Sequence, residues 1–239
     1  MKKSISLLLL AIALFFCSCK DNNEFVTQLF TNDQISGALQ QCADSTVMRT
    51  VDTLCVVGTV KNQLGFSYYK NGAYRITLPP EAKSITDTLE NYDQAYKAII
   101  DTLIVDMNRA AEQCGEGISQ FWVPVIQATE FPDPNLILHG GNGALTNYLK
   151  QTQQIAFMNI LTAYTLKEQF DALHIIERWN TLQRTYFELT GKYSSIDILD
   201  PAVQQVTSGF FTIMALEEEA IRKNPPSNSG LLYKVFKTL

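Results

Sequence analysis

A chain of 239 residues that is 46% hydrophobic carries ample apolar material for one large or two small cores. With 19 Lys and Arg against 24 Asp and Glu, the net charge is -5 and no basic stripe is present, which argues against a function built on nucleic-acid phosphates. The 5 cysteines are too few and too scattered for a disulfide framework.

Lys2 and Lys3, an apolar run from Ile5 to Phe16 and the small Ser18 before Cys19 follow one another in the order of a secretory signal. As a helix that run reaches only about 18 Å at roughly 1.5 Å per residue, short of the ~30 Å hydrocarbon core that a permanent span must cross. Its end resembles the lipobox of bacterial lipoproteins, in which the thiol is acylated and the chain is cut so that the cysteine becomes the first residue. Phe16 stands where Leu is usual in that motif. The resemblance implies removal of residues 1–18 and a lipid on Cys19; a linker over 19–32 and a folded domain over 33–239 are expected after it. At ~0.8 kcal/mol per buried methylene, acyl chains anchor a protein without a transmembrane helix, so the membrane is the expected partner. Lys20, in place of Asp, resembles lipoproteins of the outer membrane, on its periplasmic or its surface face.

Downstream the dominant period is helical. TNDQ at 31–34 is a capping box, with Phe30 and Ile35 at hydrophobic-staple positions, so a helix starts there. Its apolar stripe runs Ile35, Leu39, Cys42, Val47, Val51, Leu54. Residues 58–80, with their Gly, Asn and Tyr, read as one long irregular connection that packs extended along the helices through its aromatics. Pro80 in LPPE opens the next helix. The longest helix is expected from about Asp93 to Ala128, with Ile99, Leu103, Met107, Ala110, Cys114, Ile118, Phe121 and Val125 on one face. Pro124 is expected to kink or split it.

In FPDPNLILHGGNG, Asp133 caps a miniature helix, Pro134 takes its first position and Gly140 ends it. Asn142 is expected to cap the next helix, which runs with small breaks to Leu189 and closes at Gly191. Asp200 and Pro201 repeat the cap-and-proline order for a helix through Arg222, and NPP at 224–226 ends it. LLYKVFKTL forms a last short helix that docks Leu232, Val235 and Phe236. With no alternating strand pattern and no internal repeat, the predicted fold is all-α, a single multi-helix domain.

The motifs of common enzymes are missing: there is no GxSxG, GxxxxGK[ST], HExxH or CxxC. The 2 histidines lack metal-ligand spacing. His139 suits the carbonyl end of a short helix, and His174 in LHII reads as a core-edge residue. No catalytic residue, metal or cofactor is expected. Cys42, Cys55 and Cys114 read as buried free thiols. EEEAIRK at 217–223 reads as a solvated face of i,i+4 ion pairs, Glu218 among its charges. Glu217 is the exception, because it falls inside the stripe Val203, Val206, Phe210, Ile213, Met214, Ala220, Ile221. It is expected to be partly buried and paired with Arg109 and Asn108. Asn108, Arg109, Glu112 and Glu217 thus make the candidate polar cluster. The resulting reading is a non-enzymatic binding or scaffold module. Its alternatives are a carrier with an apolar cavity between helices, or an enzyme using the cluster around Arg109 and Glu217.

Three segments then carry a family resemblance: MNRAAE at 107–112, FPDPNLILHGGNGALTNYLKQ at 131–151, and GFFTIMALEEEAIRKNPPSNSGLLYKVF at 209–236. They resemble the domain of unknown function 4197 family of bacterial exported proteins. That family has an M-N-R-A-A-E helix, an I-L-x-G turn before A-x-x-x-Y, and E-E-x-x-I-R-x-N-P before a closing L-L-x-K-V-F helix. KNGAY departs from the family's N-P-A, and the three scattered cysteines are further departures. The resemblance implies a mature chain of one domain and brings no assigned activity.

Overall fold

Local chemistry sets the first boundary. Thr31 Oγ1 accepts from the amide of Gln34 at 3.2 Å, and the Thr31 amide donates to Gln34 Oε1 at 2.9 Å, so the capping box is complete and helix α1 (Asn32–Leu54) follows it. The computed structural model describes residues 30–55, 66 and 74–239. The expected signal, the lipid site at Cys19 and most of the 58–80 connection lie outside the described residues. A short 3-10 turn (Pro80–Ala82) leads into α2 (Lys83–Tyr92), α3 (Ala95–Gln113), α4 (Gly115–Gln127) and α5 (Pro134–His139). There follow α6 (Ala144–Ala163), α7 (Leu166–Ala172), α8 (Ile175–Thr190), α9 (Leu199–Lys223) and α10 (Leu231–Phe236). No strand occurs among the described residues, and the fold is all-α.

The helices form two groups. In the first, α1 packs on α4, α5, α9 and α10, and α6 packs on α4 and α9. Its centre is aromatic: Trp122 lies 4.4 Å from Phe157, 5.3 Å from Phe210 and 5.6 Å from Phe211 between ring centroids. In the second group α2, α3, α7 and α8 pack on one another. As expected, Leu232, Val235 and Phe236 of α10 are buried, and Gln41 of α1 accepts from the Leu232 amide at 3.0 Å.

The structure corrects three boundaries. The helix expected over 93–128 breaks at Cys114, and Pro124 lies inside α4. Pro124 is exposed, so water can serve the carbonyl it leaves without a partner. The break falls where helices approach closely: a Cβ on Gly115 would come within 2.7 Å of Cys55 Cβ, and one on Gly117 within 2.4 Å of Thr165 Cγ2. Asp197, not Asp200, serves the start of α9, accepting from the amides of Leu199 and Asp200 at 3.0 Å. Asn142 does not cap α6; Gly143 takes that position, and the acceptor comes from elsewhere in the chain.

The described part of the 58–80 connection is held as the sequence suggested, with an addition. Phe66 and Tyr74 pack on Gly209 of α9, where an added Cβ would lie 3.3–3.4 Å from their rings. Two side-chain amides then grip the backbone of the connection. Asn108 accepts from the Ile76 amide at 2.7 Å and donates to the Ile76 carbonyl at 2.8 Å. Gln205 does the same for Thr77, at 3.0 Å in each direction. Each amide offers the donor and acceptor that a neighbouring strand would supply.

Candidate functional site

The four residues of the expected cluster have separate tasks. Asn108 is buried and spends its amide on Ile76 and on the Ile104 carbonyl. Arg109 is exposed and bonds Asp106 at 3.2 Å on its own helix. Glu112 is buried on α3, close enough to Cys55 for its charge to raise that thiol. Glu217 is half-buried as expected, but its partner is Arg49 of α1, at 3.8 Å, rather than Arg109 or Asn108.

The buried carboxylate is the next residue, Glu218, with no exposed surface. It accepts from the amides of Leu145 and Thr146 at 3.0 and 2.7 Å, in the first turn of α6, and from Arg222 Nε at 2.7 Å. Arg222 in turn donates to the carbonyls of Leu138 and Ile137, at 2.7 and 3.1 Å, in the last turn of α5, and its guanidinium lies 5.2 Å from the centre of the Phe236 ring. One i,i+4 pair on α9 thereby places a negative charge at the amide end of α6 and a positive charge at the carbonyl end of α5. The buried charges are satisfied by geometry that a surface ion pair lacks. Among the charges of EEEAIRK expected to be solvated, Glu219 and Lys223 keep that pairing. The hydrogen bond from Lys223 holds the Glu219 carboxyl below its usual range.

A groove of about 510 Å³ opens between α3 and α8, lined by Tyr96, Ile99, Arg178, Leu182 and neighbours. Its polar side chains have partners: Arg178 lies 2.9 Å from Asp106, and His174 Nδ1 lies 3.2 Å from Glu177. His174 is exposed, contrary to the core-edge expectation, and has φ 52° and ψ 33° in the turn between α7 and α8. A tight turn between two helices calls for left-handed backbone, which His adopts more readily than most residues. Among the described residues, no group of three or more His, Cys, Asp or Glu side chains is placed to hold a metal ion.

Residues 30–237 match the family described as Protein of unknown function (DUF4197). The chain belongs to this family. No curated protein and no solved structure matches it. The segments that carry the DUF4197 resemblance build the Asn108 hold on Ile76 and the Glu218–Arg222 clamp on α5 and α6. MNRAAE supplies Asn108, and EEEAIR supplies Glu218 and Arg222. The ILHG turn supplies the carbonyls that Arg222 binds, and ALTNY supplies the amides that Glu218 caps. Tyr148, at the end of ALTNY, donates its hydroxyl to the Glu130 carbonyl at 2.7 Å.

Cys42, Cys55 and Cys114 are free thiols, as expected; Cys42 and Cys114 are buried and Cys55 is partly exposed. Burial, helped by the Glu218 charge, pushes the Cys42 thiol from 9.0 up to about 12. Burial also pushes Cys114 up to about 12. Cys55 is raised by burial of its sulfur and by Cys114, Glu112 and Asp52. Neutral thiols of this kind are poor nucleophiles.

Proposed function

We propose that this DUF4197 protein is a lipid-anchored protein of the cell envelope, tethered through Cys19 at the outer membrane, and that its helical domain binds a small ligand with an apolar body rather than catalysing a reaction. The groove between α3 and α8 carries the binding reading. Tyr96, Ile99 and Leu182 offer apolar surface there, Ile99 stays 45% exposed, and Arg178 beside them is already paired with Asp106. Ligand sites are typically concave, mainly apolar and furnished with few polar groups. The non-enzymatic part of the reading is supported by the use of the buried Asn108, Glu218 and Arg222, whose hydrogen bonds serve backbone at three places in the fold. The carrier alternative is thereby moved from the interior of the bundle to an open groove.

Native mass spectrometry of protein extracted from its own membrane tests the reading. A small-molecule adduct is expected on the wild type and not on Ile99→Glu, which puts a charge on the groove at a position that tolerates exposure. A wild type free of ligand, or an adduct that survives Ile99→Glu, overturns it. The anchor has its own test: Cys19→Ser is expected to leave an unprocessed or soluble precursor, and normal membrane fractionation of that variant removes the lipid claim.

A further inference from the structure

A second recess, of about 220 Å³, lies where α4 meets the start of α7, away from the groove and the residues lining it. Its aromatic part is a stacked pair: Phe121 of α4 and Tyr164 at the end of α6 have ring centroids 5.5 Å apart and planes inclined by 27°. Both rings are displayed, Phe121 at 42% and Tyr164 at 59% exposure. Around them stand the amides of Gln113, Gln120 and Gln169 and the carboxylates of Glu116 and Glu168. Among the described residues these five side chains make no hydrogen bond or ion pair, unlike the amides of Asn108 and Gln205, which are fully used in the fold.

We propose that this recess is a binding site for a neutral polyol, specifically one sugar ring of a glycan. At about 220 Å³ the recess suits one sugar ring rather than a longer chain. A sugar hydroxyl is both donor and acceptor, and carboxamides supply both functions within one planar group. Carboxylates accept from hydroxyls in short, charge-assisted bonds. The C–H face of a pyranose is apolar and flat, and the near-parallel rings offer it flat surface in one orientation. A site for a quaternary ammonium would instead place rings on several sides of the cation, and would have no use for amide donors. An anionic ligand is disfavoured by two carboxylates with no cation in the lining.

Saturation-transfer NMR on the full chain, with maltotriose, cellotriose, chitotriose and mannotriose as probes and choline as the competing chemistry, tests the assignment. Transfer to the ring protons of at least one trisaccharide is expected, with affinity about tenfold weaker in Phe121→Ala and in the double variant Gln120→Ala/Gln169→Ala. All of these positions except half-buried Gln169 are exposed, so thermal unfolding is expected to stay near wild type. The Glu116→Gln/Glu168→Gln variant keeps the shape of the recess and removes its charge, and is expected to weaken the sugar as well. Absence of transfer to every trisaccharide, binding by the aromatic and amide variants equal to that of wild type, or choline binding more tightly than any sugar overturns the proposal.

Discussion

Glu218→Ala removes one side chain and leaves three groups without their acceptor: the buried amides of Leu145 and Thr146 and the buried guanidinium of Arg222. Both members of the pair are enclosed, with side-chain exposures of 0% for Glu218 and 5% for Arg222, so water cannot replace the carboxylate. Breaking a buried pair by deleting one partner costs about 3–5 kcal/mol, mostly because the surviving charge stays buried. At roughly 2–4 °C per kcal/mol for a domain of this size, the melting temperature is expected to fall by about 6–20 °C. Glu217→Ala is the internal control. Its 3.8 Å contact with Arg49 is partly solvated, with exposures of 25% and 42%, and such pairs contribute about 0.2–1 kcal/mol. Glu218→Gln keeps the volume and one carbonyl oxygen, so it should fall between the two and separate charge from packing. Because Glu218 and Arg222 share a bond, the double alanine variant should cost less than the sum of the single ones. Urea unfolding followed by far-UV circular dichroism measures all five, Arg222→Ala included. If Glu218→Ala lies within about 1 kcal/mol of wild type, or matches Glu217→Ala, the clamp between α5, α6 and α9 is not a stabilising element and the reasoning fails.

Asn108→Ala strips Ile76 of both its backbone partners and should cost about 1–3 kcal/mol, with limited proteolysis cutting near residues 74–79 faster than in wild type; an unchanged cleavage rate would show that Gln205 alone holds this segment. Phe236 is 1% exposed, so Phe236→Ala should cost roughly 3–5 kcal/mol, and a loss under about 0.5 kcal/mol would mean that α10 does not stay docked. With Cys42 and Cys114 raised from 9.0 to about 12, the folded chain keeps protons that the unfolded chain releases; the stability they lend is complete below about pH 9 and is lost as pH rises toward 12. Urea midpoints measured from about pH 8 to 10.5 should therefore decline, and the decline should flatten in Cys42→Ala/Cys114→Ala, whereas an identical slope in that variant would assign it to other groups. In a thiol-labelling time course at about pH 8, Cys42, Cys55 and Cys114, all raised by burial, should label slowly in the folded chain and quickly in urea, and rapid labelling of the folded chain would contradict the packing described.

What the sequence determined by itself is whatever is encoded within a turn or two of helix. Thr31 and Gln34 sit three residues apart, so their capping box needs no tertiary partner, and the same holds for Asp133, whose side chain accepts from Leu136, and for Gly191, whose φ of 68° suits a residue without a Cβ. The apolar stripes of α1, α9 and α10 were legible because 3.6-residue periodicity is local too, and the family was legible because its motifs are contiguous. The grips were not legible, since their partners are remote: Glu218 caps amides 72 and 73 residues earlier in the chain, and Asn108 holds backbone 32 residues away. A helical stripe locates a buried edge only to within one residue, so Glu217 and Glu218 were interchangeable until α6 and α1 arrived on either side of them. The break at Cys114 has the same origin. Propensity marked Pro124 as the weak point, but Pro124 faces water, whereas Gly115 and Gly117 lie where other parts of the chain approach too closely for a side chain, and close packing decided the position.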